Sequence, residues 1–368
     1  MDHSFETRKL KMPEISEASI RSALASFQDP ETGRSIVQLE QVHALRLEGD
    51  RLNVTLGLTT WAAPLWETTR TELAQHLAKQ FPSLQITVDL AVHQRKAEKL
   101  GEIGLAVKSV IAVAAGKGGV GKSSIAAYLA CGLRRAGCQV GLMDADVYGP
   151  SVPHLLGSTS APQVIHDRIQ PVMIDGMPVM SMGFLVPKSE AVIWRGPMLH
   201  TALTQFLRDT DWGELDYLII DMPPGTGDVA LSLTQLLPLT GAVIVCTPQE
   251  VALLDAVKAI GMFRKVNVDV LGMIENMSFF ICPDCHSKHD IFGTGGAKRR
   301  ADEMHVPFLG EIPLCTELRK LADEGKIASS FDFEAAKPYL ESLGRNLVGQ
   351  LAKKHRAKPA MPTLPILS

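Results

Sequence analysis

Gly116-Lys117-Gly118-Gly119-Val120-Gly121-Lys122-Ser123 is the stretch on which the fold of this chain turns. It fits G-x-x-x-x-G-K-[ST], the phosphate-binding P-loop. Residues 110–114, Val-Ile-Ala-Val-Ala, form a short apolar run that predicts a buried strand. Residues 123–135 are rich in Ala and Leu and predict a helix. Strand, glycine loop and helix start follow one another as the motif requires. Glycines let the backbone curl so that several N–H groups point inward. The helix start adds unpaired donors and the positive end of a dipole. Gly116, Lys117, Gly118, Gly119, Val120, Gly121, Lys122, Ser123 and Ser124 are therefore the candidate nucleotide-binding stretch. Lys122 is expected to reach the β- and γ-phosphates of ATP, and Ser123 to hold Mg²⁺.

Outward from the loop, short apolar runs alternate with helical stretches from about residue 108 to 355. Residues 140–143 lead into Asp144-Ala145-Asp146, and 215–220 into Asp221. Residues 242–246 lead into Thr247-Pro248, and 270–274 into Glu275-Asn276. This predicts an α/β domain with a mostly parallel sheet covered on both faces. In such sheets the ligand sits beyond the carboxyl ends of the strands, so these polar ends should face the P-loop. Asp221 has the place of a Walker B aspartate and is expected to hold Mg²⁺. Asp144 and Asp146 are candidates to orient the attacking water or the metal, against the plain alternative of turn or cap formers. The loop Met222-Pro223-Pro224-Gly225-Thr226-Gly227-Asp228 is a candidate γ-phosphate sensor.

Lys117 is not required by the generic motif, and a lysine just after the first glycine marks the deviant P-loop. On these residues the chain resembles the deviant-Walker ATPases, which include MinD, the nitrogenase iron protein and the Mrp/ApbC iron–sulfur cluster carriers. The resemblance implies that Lys117 reaches across a dimer interface to the partner's nucleotide. The stretches Asp144-Ala145-Asp146-Val147-Tyr148-Gly149-Pro150-Ser151 and Asp221–Asp228 are similar to the Mrp/ApbC signatures and narrow the resemblance to that family. By the same resemblance Asn276 is the expected adenine contact.

The chain has 368 residues, which suggests two domains at about 150 residues each. The first is expected over residues 13–95, a linker over 96–107, the P-loop ATPase domain over 108–355 and a loose tail over 356–368. In the first part, residues 16–27 predict a helix, 42–47 and 52–58 two strands of a hairpin, 66–80 a second helix and 84–92 a third strand. The order α-β-β-α-β makes a small α+β domain. Asp29-Pro30-Glu31, Thr59-Thr60 and Pro64-Leu65 resemble the PaaD-type iron–sulfur assembly-associated domain. That family often carries a cysteine before the proline, where this chain has Ala63, so an interaction or regulatory module is expected.

Net charge is −3 with no long basic tract, which argues against nucleic acid as the main partner. No apolar run approaches the roughly 18 residues of a membrane span, the N-terminus does not read as a signal peptide, and the proline-broken end does not read as a membrane helix. Six cysteines in this length do not suggest a disulfide scaffold, so a cytoplasmic enzyme is expected.

Cys282-Pro283-Asp284-Cys285 has three readings: redox, zinc with His286 and His289, or half of a four-thiolate site. The thioredoxin-like context of a redox pair is absent, and two Cys and two His within eight residues fit a tetrahedron tightly. Two thiolates per chain cannot complete a [4Fe–4S] cluster, whereas a symmetric homodimer can. In the Mrp/ApbC family the matching pair bridges a labile cluster between subunits. Cys131 and Cys246 read as packing residues. The leading expectation is an ATP-hydrolysing carrier that binds a [4Fe–4S] cluster at a homodimer interface and passes it from assembly scaffold proteins to apo-proteins. The alternative is a MinD/ParA-like partition or positioning switch.

Overall fold

A computed structural model describes residues 15–101, 103–147, 149–184, 196–225, 233, 236–285 and 287–357. The chain divides into two compact units. The smaller takes the residues up to Thr59, Trp66–His93 and those from Ala352 onward; the larger takes Thr60–Leu65 and Gln94–Leu351.

The smaller unit runs α1 (Glu17–Ala25), β1 (Val42–Glu48), β2 (Arg51–Leu58), α2 (Trp66–Gln80) and β3 (Gln85–Val92). This is the α-β-β-α-β order that the hydrophobic pattern predicts. Ser16 starts α1 with a capping box shared with Ser19. β1 and β2 form an antiparallel hairpin about Gly49-Asp50, with Gly49 at φ 62°. α2 then crosses over so that β3 pairs parallel to β2. Leu52, Val54, Leu56 and Leu58 alternate inward from β2 onto Ile20, Leu24, Leu73 and Leu77, all fully buried.

In the larger unit the elements follow in this order: β4 (Lys99–Leu100), β5 (Leu105–Ala114), α3 (Lys122–Arg135), β6 (Val140–Asp144), α4 (Val152–Leu155), β7 (Gln163–Ile165), β8 (Arg168–Gln170), β9 (Val172–Ile174) and β10 (Met177–Ser181). Then come α5 (Gly196–Arg208), β11 (Leu215–Asp221), β12 (Gly241–Cys246), α6 (Glu250–Lys265), β13 (Val270–Ile281), β14 (Lys288–His289), α7 (Gly296–Glu303), β15 (Phe308–Leu314), α8 (Thr316–Asp323) and α9 (Lys337–Ala357). The main sheet has ten strands in the order β14-β13-β12-β5-β11-β6-β10-β9, with β15 also on β13 and β4 also on β5. The contacts from β10 through β6, β11, β5, β12 and β13 to β15 are all parallel. Every residue of β6, β11 and β12 is buried, because helices cover both faces. β5 lies between β11 and β12, where the chain's crossovers turn to opposite sides, so the loop after β5 opens at the switch point of the sheet.

The structure moves several expected boundaries. β13 does not stop before Glu275-Asn276 but continues to Ile281. Both polar residues are buried and hydrogen-bonded, so they do not end the strand. Residues 96–107, read as a linker, contain β4 and the start of β5, which pair antiparallel. The closing helix begins at Lys337, next to Pro338 in its first turn, where a missing N–H costs nothing. It runs to Ala357, inside the stretch read as a loose tail; residues 358–368 lie outside the described residues, as do 13 and 14 at the other end.

Candidate functional site

The P-loop follows β5 and closes onto α3, whose N-cap is Gly121 at φ 78°. Besides Gly121, two of its glycines are required by geometry. A Cβ on Gly116 would lie 2.1 Å from the Asp255 carbonyl oxygen, and Gly119 sits at φ 81°. At Gly118 and Gly119 an added Cβ would meet nothing within 4 Å, so the loop forms an open backbone cradle. The Gly225 N–H donates to Ala115 O at 2.9 Å, which ties the segment after β11 to the loop. Thr226, Gly227 and Asp228 of the expected phosphate-sensing loop, and Tyr148, lie outside the described residues.

Lys122, Asp144, Asp146 and Asp221 come together at the carboxyl edge of the sheet. β6 and β11 are parallel neighbours in register, with Asp144 opposite Asp221. The Lys122 ammonium donates to Asp221 Oδ1 and, at 3.3 Å, to Ser123 Oγ; it is 3.8 Å from Asp146 Oδ2. Asp144 accepts from the N–H of Asp146 at 3.1 Å, that of Val152 at 3.2 Å and Ser181 Oγ at 2.9 Å. Burial first, and then the facing Asp221 charge, push the Asp144 carboxyl from the ordinary 3.8 up to about 7, against those three donors. Burial also raises Asp221, and the Lys122 ammonium opposes that shift. Asp221 Oδ2 is buried and has no hydrogen-bond partner among the described residues. An orphaned acceptor beside the Ser123 hydroxyl and below the open cradle suits a hard cation, so the residues fit Mg²⁺.

Lys117 is half-buried and forms no ion pair among the described residues. Ser124 is half-buried in the first turn of α3. Asn276 is placed differently from a free side chain awaiting a base. Its amide nitrogen donates to Val120 O at 2.9 Å and packs under Gly121, so it supports the P-loop itself.

Cys282 and Cys285 lie at the tip of a hairpin. β13 ends at Ile281, turns back, and pairs antiparallel with β14. The Cys282 N–H donates to Ser287 O at 3.0 Å, the Cys285 thiol is 3.0 Å from Ser287 Oγ, and Ser287 Oγ is 2.9 Å from His289 Nε2. Hydrogen bonds from Ser287, and then the Cys282 thiol, lower the Cys285 pKa. Cys285 is exposed and Cys282 half-buried. Among the described residues no group of three or more His, Cys, Asp and Glu is gathered for a metal; His286 lies outside them. Cys131 and Cys246 are buried and pushed up to about 12 by that burial, as inert packing thiols are. Cys315 is buried at the start of α8.

Sequence reasoning missed Ser181 and Ser287, and it read Glu275 as a strand end facing the P-loop. Ser181 ends the buried strand β10 opposite Asp144, and a lone hydroxyl after an apolar run was its only signal. Glu275 accepts from the Ala297 N–H at 2.7 Å and so caps α7 from across the sheet.

A glycine cradle at a sheet switch point, with a lysine and strand-end aspartates around it, defines a P-loop NTPase. The family model for the NUBPL iron-transfer P-loop NTPase matches residues 106–347, and that for an iron–sulfur cluster assembly protein matches 17–88. The iron–sulfur cluster carrier protein of Deinococcus radiodurans is 46% identical over 342 residues, 92% of this chain and 96% of that one. That of Escherichia coli K12 is 42% identical over 326 residues, covering 87% and 88%. A nucleotide-binding protein from Archaeoglobus fulgidus, solved with ADP, is 40% identical with a TM-score of 0.55, covering 61% of this chain and 89% of that one. The chain belongs to the iron–sulfur cluster carrier family of P-loop NTPases. No helix among the described residues is long and apolar enough to cross a membrane.

Proposed function

We propose that this chain binds and hydrolyses ATP and, as a homodimer, carries a [4Fe–4S] cluster that it receives from assembly scaffolds and delivers to apo-proteins. One observation carries the reading: β13 supports the P-loop through Asn276 and bears Cys282 and Cys285 on the exposed hairpin at its end. Two thiols at a solvent-facing tip are half of a Cys₄ set, and a two-fold axis supplies the other half. The carrier names of the relatives and the match of residues 17–88 to an assembly domain support the same reading. The small N-terminal domain then serves contacts with scaffold or recipient, since it carries no thiol of its own. Exposed reduced thiols fit a cytoplasmic setting.

The chemistry follows from the residues. The N–H groups of 118–121 and the start of α3 take the phosphates, and Lys122 leaves Asp221 for the β- and γ-oxygens. Mg²⁺, held by Ser123 and Asp221, would neutralise charge on the transferring phosphoryl group. Asp144 accepts a hydrogen bond from the attacking water and aligns it. Water adds to the γ-phosphorus as the bond from that phosphorus to the ADP oxygen breaks, and the proton of the water leaves on the released phosphate. Lys117 of each chain serves the partner's nucleotide, so hydrolysis requires the dimer that also completes the cluster site. The test is anaerobic reconstitution with iron, sulfide and zinc assays, followed by activation of an apo-acceptor. A protein that takes up no iron and sulfide overturns the reading.

Two results are expected from the nucleotide site. Asp144 must be ionised to accept from water, and its folded pKa is about 7. Because kcat/KM reports the free enzyme, its pH profile should show an acid limb near 7 that Asp144→Asn removes along with most activity. The stability sign is opposite. Folded protein keeps a proton between about pH 4 and 7 that the unfolded chain releases, so this group's contribution to stability falls as pH rises through that window. Asp144→Asn should therefore gain on the wild type in nucleotide-free thermal melts as pH rises. An unchanged difference across the window would count against the placement of Asp144.

Lys117→Ala should lower hydrolysis more than nucleotide affinity. Mixing Lys117→Ala chains with Asp144→Asn chains should restore one intact site per mixed dimer. Action within a single chain predicts no recovery at any mixing ratio.

A further inference from the structure

We propose that the bulge in β13 is the joint that couples the P-loop to the cysteine hairpin, with Met277 and Phe279 as its positioning residues. The proposal rests on the reading of Cys282 and Cys285 as the working thiols of the chain, and it deepens that reading by naming the route between nucleotide and thiols.

The route begins at Gly121. An added Cβ there would lie 2.2 Å from Asn276 Nδ2 and 3.8 Å from Met277 Cε, so the side chains of two successive residues of β13 face the N-cap of the P-loop helix. Met277 then has φ 54°, a left-handed conformation that side chains with a Cβ rarely adopt. The pairing with β15 slips at this point. Asn276 lies opposite Ile312 and Phe280 opposite Leu314, so β13 holds two more residues than its partner across the gap.

Within the bulge the side chains are tied back to Glu275 on one side and forward to the hairpin on the other. Ser278 Oγ donates to Glu275 Oε1, and the other oxygen of Glu275 caps α7. The Phe279 ring is 4.4 Å from Lys288 Nζ, with the Tyr339 ring 5.0 Å away on the same ammonium. Lys288 pairs with Ile281 in the hairpin, and the preceding residue, Ser287, contacts both cysteines.

The physical consequence follows from backbone dimensions. A strand cannot stretch, so a shift of Asn276 is either absorbed at an irregular point or passed along. Phosphate binding draws the N–H groups of 118–121 inward and moves Val120 O, the group to which Asn276 donates, together with Gly121 beside it. The bulge holds Met277 at a positive φ in an irregular part of the ladder, and that is where a shift of the strand is taken up. Relaxing Met277 re-aims Phe279, and Phe279 carries Lys288 and the hairpin tip with it.

The test uses the full-length reduced protein without iron, so its outcome is independent of cluster loading. Alkylation of Cys282 and Cys285 by iodoacetamide is followed by mass spectrometry, with and without ADP and Mg²⁺, while light scattering records the oligomeric state. Wild type should show a nucleotide-dependent rate change of about fivefold, the lower range of measured couplings. Met277→Gly adopts the same φ without strain. It should bind ADP as wild type does and lose the rate change. Phe279→Leu keeps the apolar volume but not the ring beneath Lys288, and should weaken the coupling in the same way. It serves as the variant of record should Met277→Gly fail to fold. A wild type whose thiol rates ignore ADP overturns the proposal. So does a rate change that follows dimer formation and persists in both variants. Failure of the carrier reading looks different: thiol rates still respond to ADP, but the protein takes up no iron or sulfide.

Discussion

Lys122→Ala is expected to lower steady-state ATP hydrolysis by about a hundred- to a thousandfold, the loss seen when one preorganised charge donor is removed from a transition state. The structure adds a second effect on the nucleotide-free protein. Lys122 is the cation paired with Asp221, whose carboxylate is fully buried. Removing one partner of a buried pair costs about 3–5 kcal/mol unless the stranded group changes charge. Asp221 is already raised by burial, and loss of the Lys122 charge, which opposes that shift, should raise it further. The variant should therefore lose stability relative to wild type as pH rises above the ordinary carboxylate range, because the folded state now holds a proton that the unfolded state releases. Lys122→Arg should not rescue hydrolysis, since a planar guanidinium cannot replace a point charge in this small space. Hydrolysis within a few-fold of wild type in Lys122→Ala would remove the P-loop lysine from the mechanism.

Cys282→Ala/Cys285→Ala should abolish cluster binding and activation of an apo-acceptor while leaving folding and ATP binding in place. The thiols occupy a hairpin tip, one exposed and one half-buried, where substitution changes stability by only about 0.5 kcal/mol. Reconstituted wild type should hold about four irons per dimer, with the cluster's visible absorption confined to the dimeric fraction. The double variant should hold none, because a bridging site loses all four thiolates at once. If the wild type instead carries one zinc per chain and no sulfide after anaerobic handling, the hairpin is a structural site.

Much of this molecule was legible from residue order. Gly116–Ser123 announced strand, loop and helix because phosphate binding allows so few local solutions. β5, β6, β11 and β12 were readable as apolar runs, since strands buried on both faces leave no polar alternation to confuse the reading. The small domain's order was readable from its alternation and its Gly49-Asp50 turn. What stayed hidden depended on partners distant in sequence. Glu275 and Asn276 looked like a strand end because polar residues usually face water. Only the fold brings Ala297 and Val120 to them, so that they are satisfied inside the sheet and β13 continues to the cysteines. The register of β6 against β11 sets Asp144 beside Asp221, and the facing charge adds to burial in raising the Asp144 carboxyl, which spacing in one strand cannot foretell. Residue order by itself determined that this protein has a phosphate-binding loop and a pair of closely spaced cysteines. The tertiary structure decided that one strand joins them, because hydrogen bonds across the sheet let a chain keep its direction where its own polarity would have it turn.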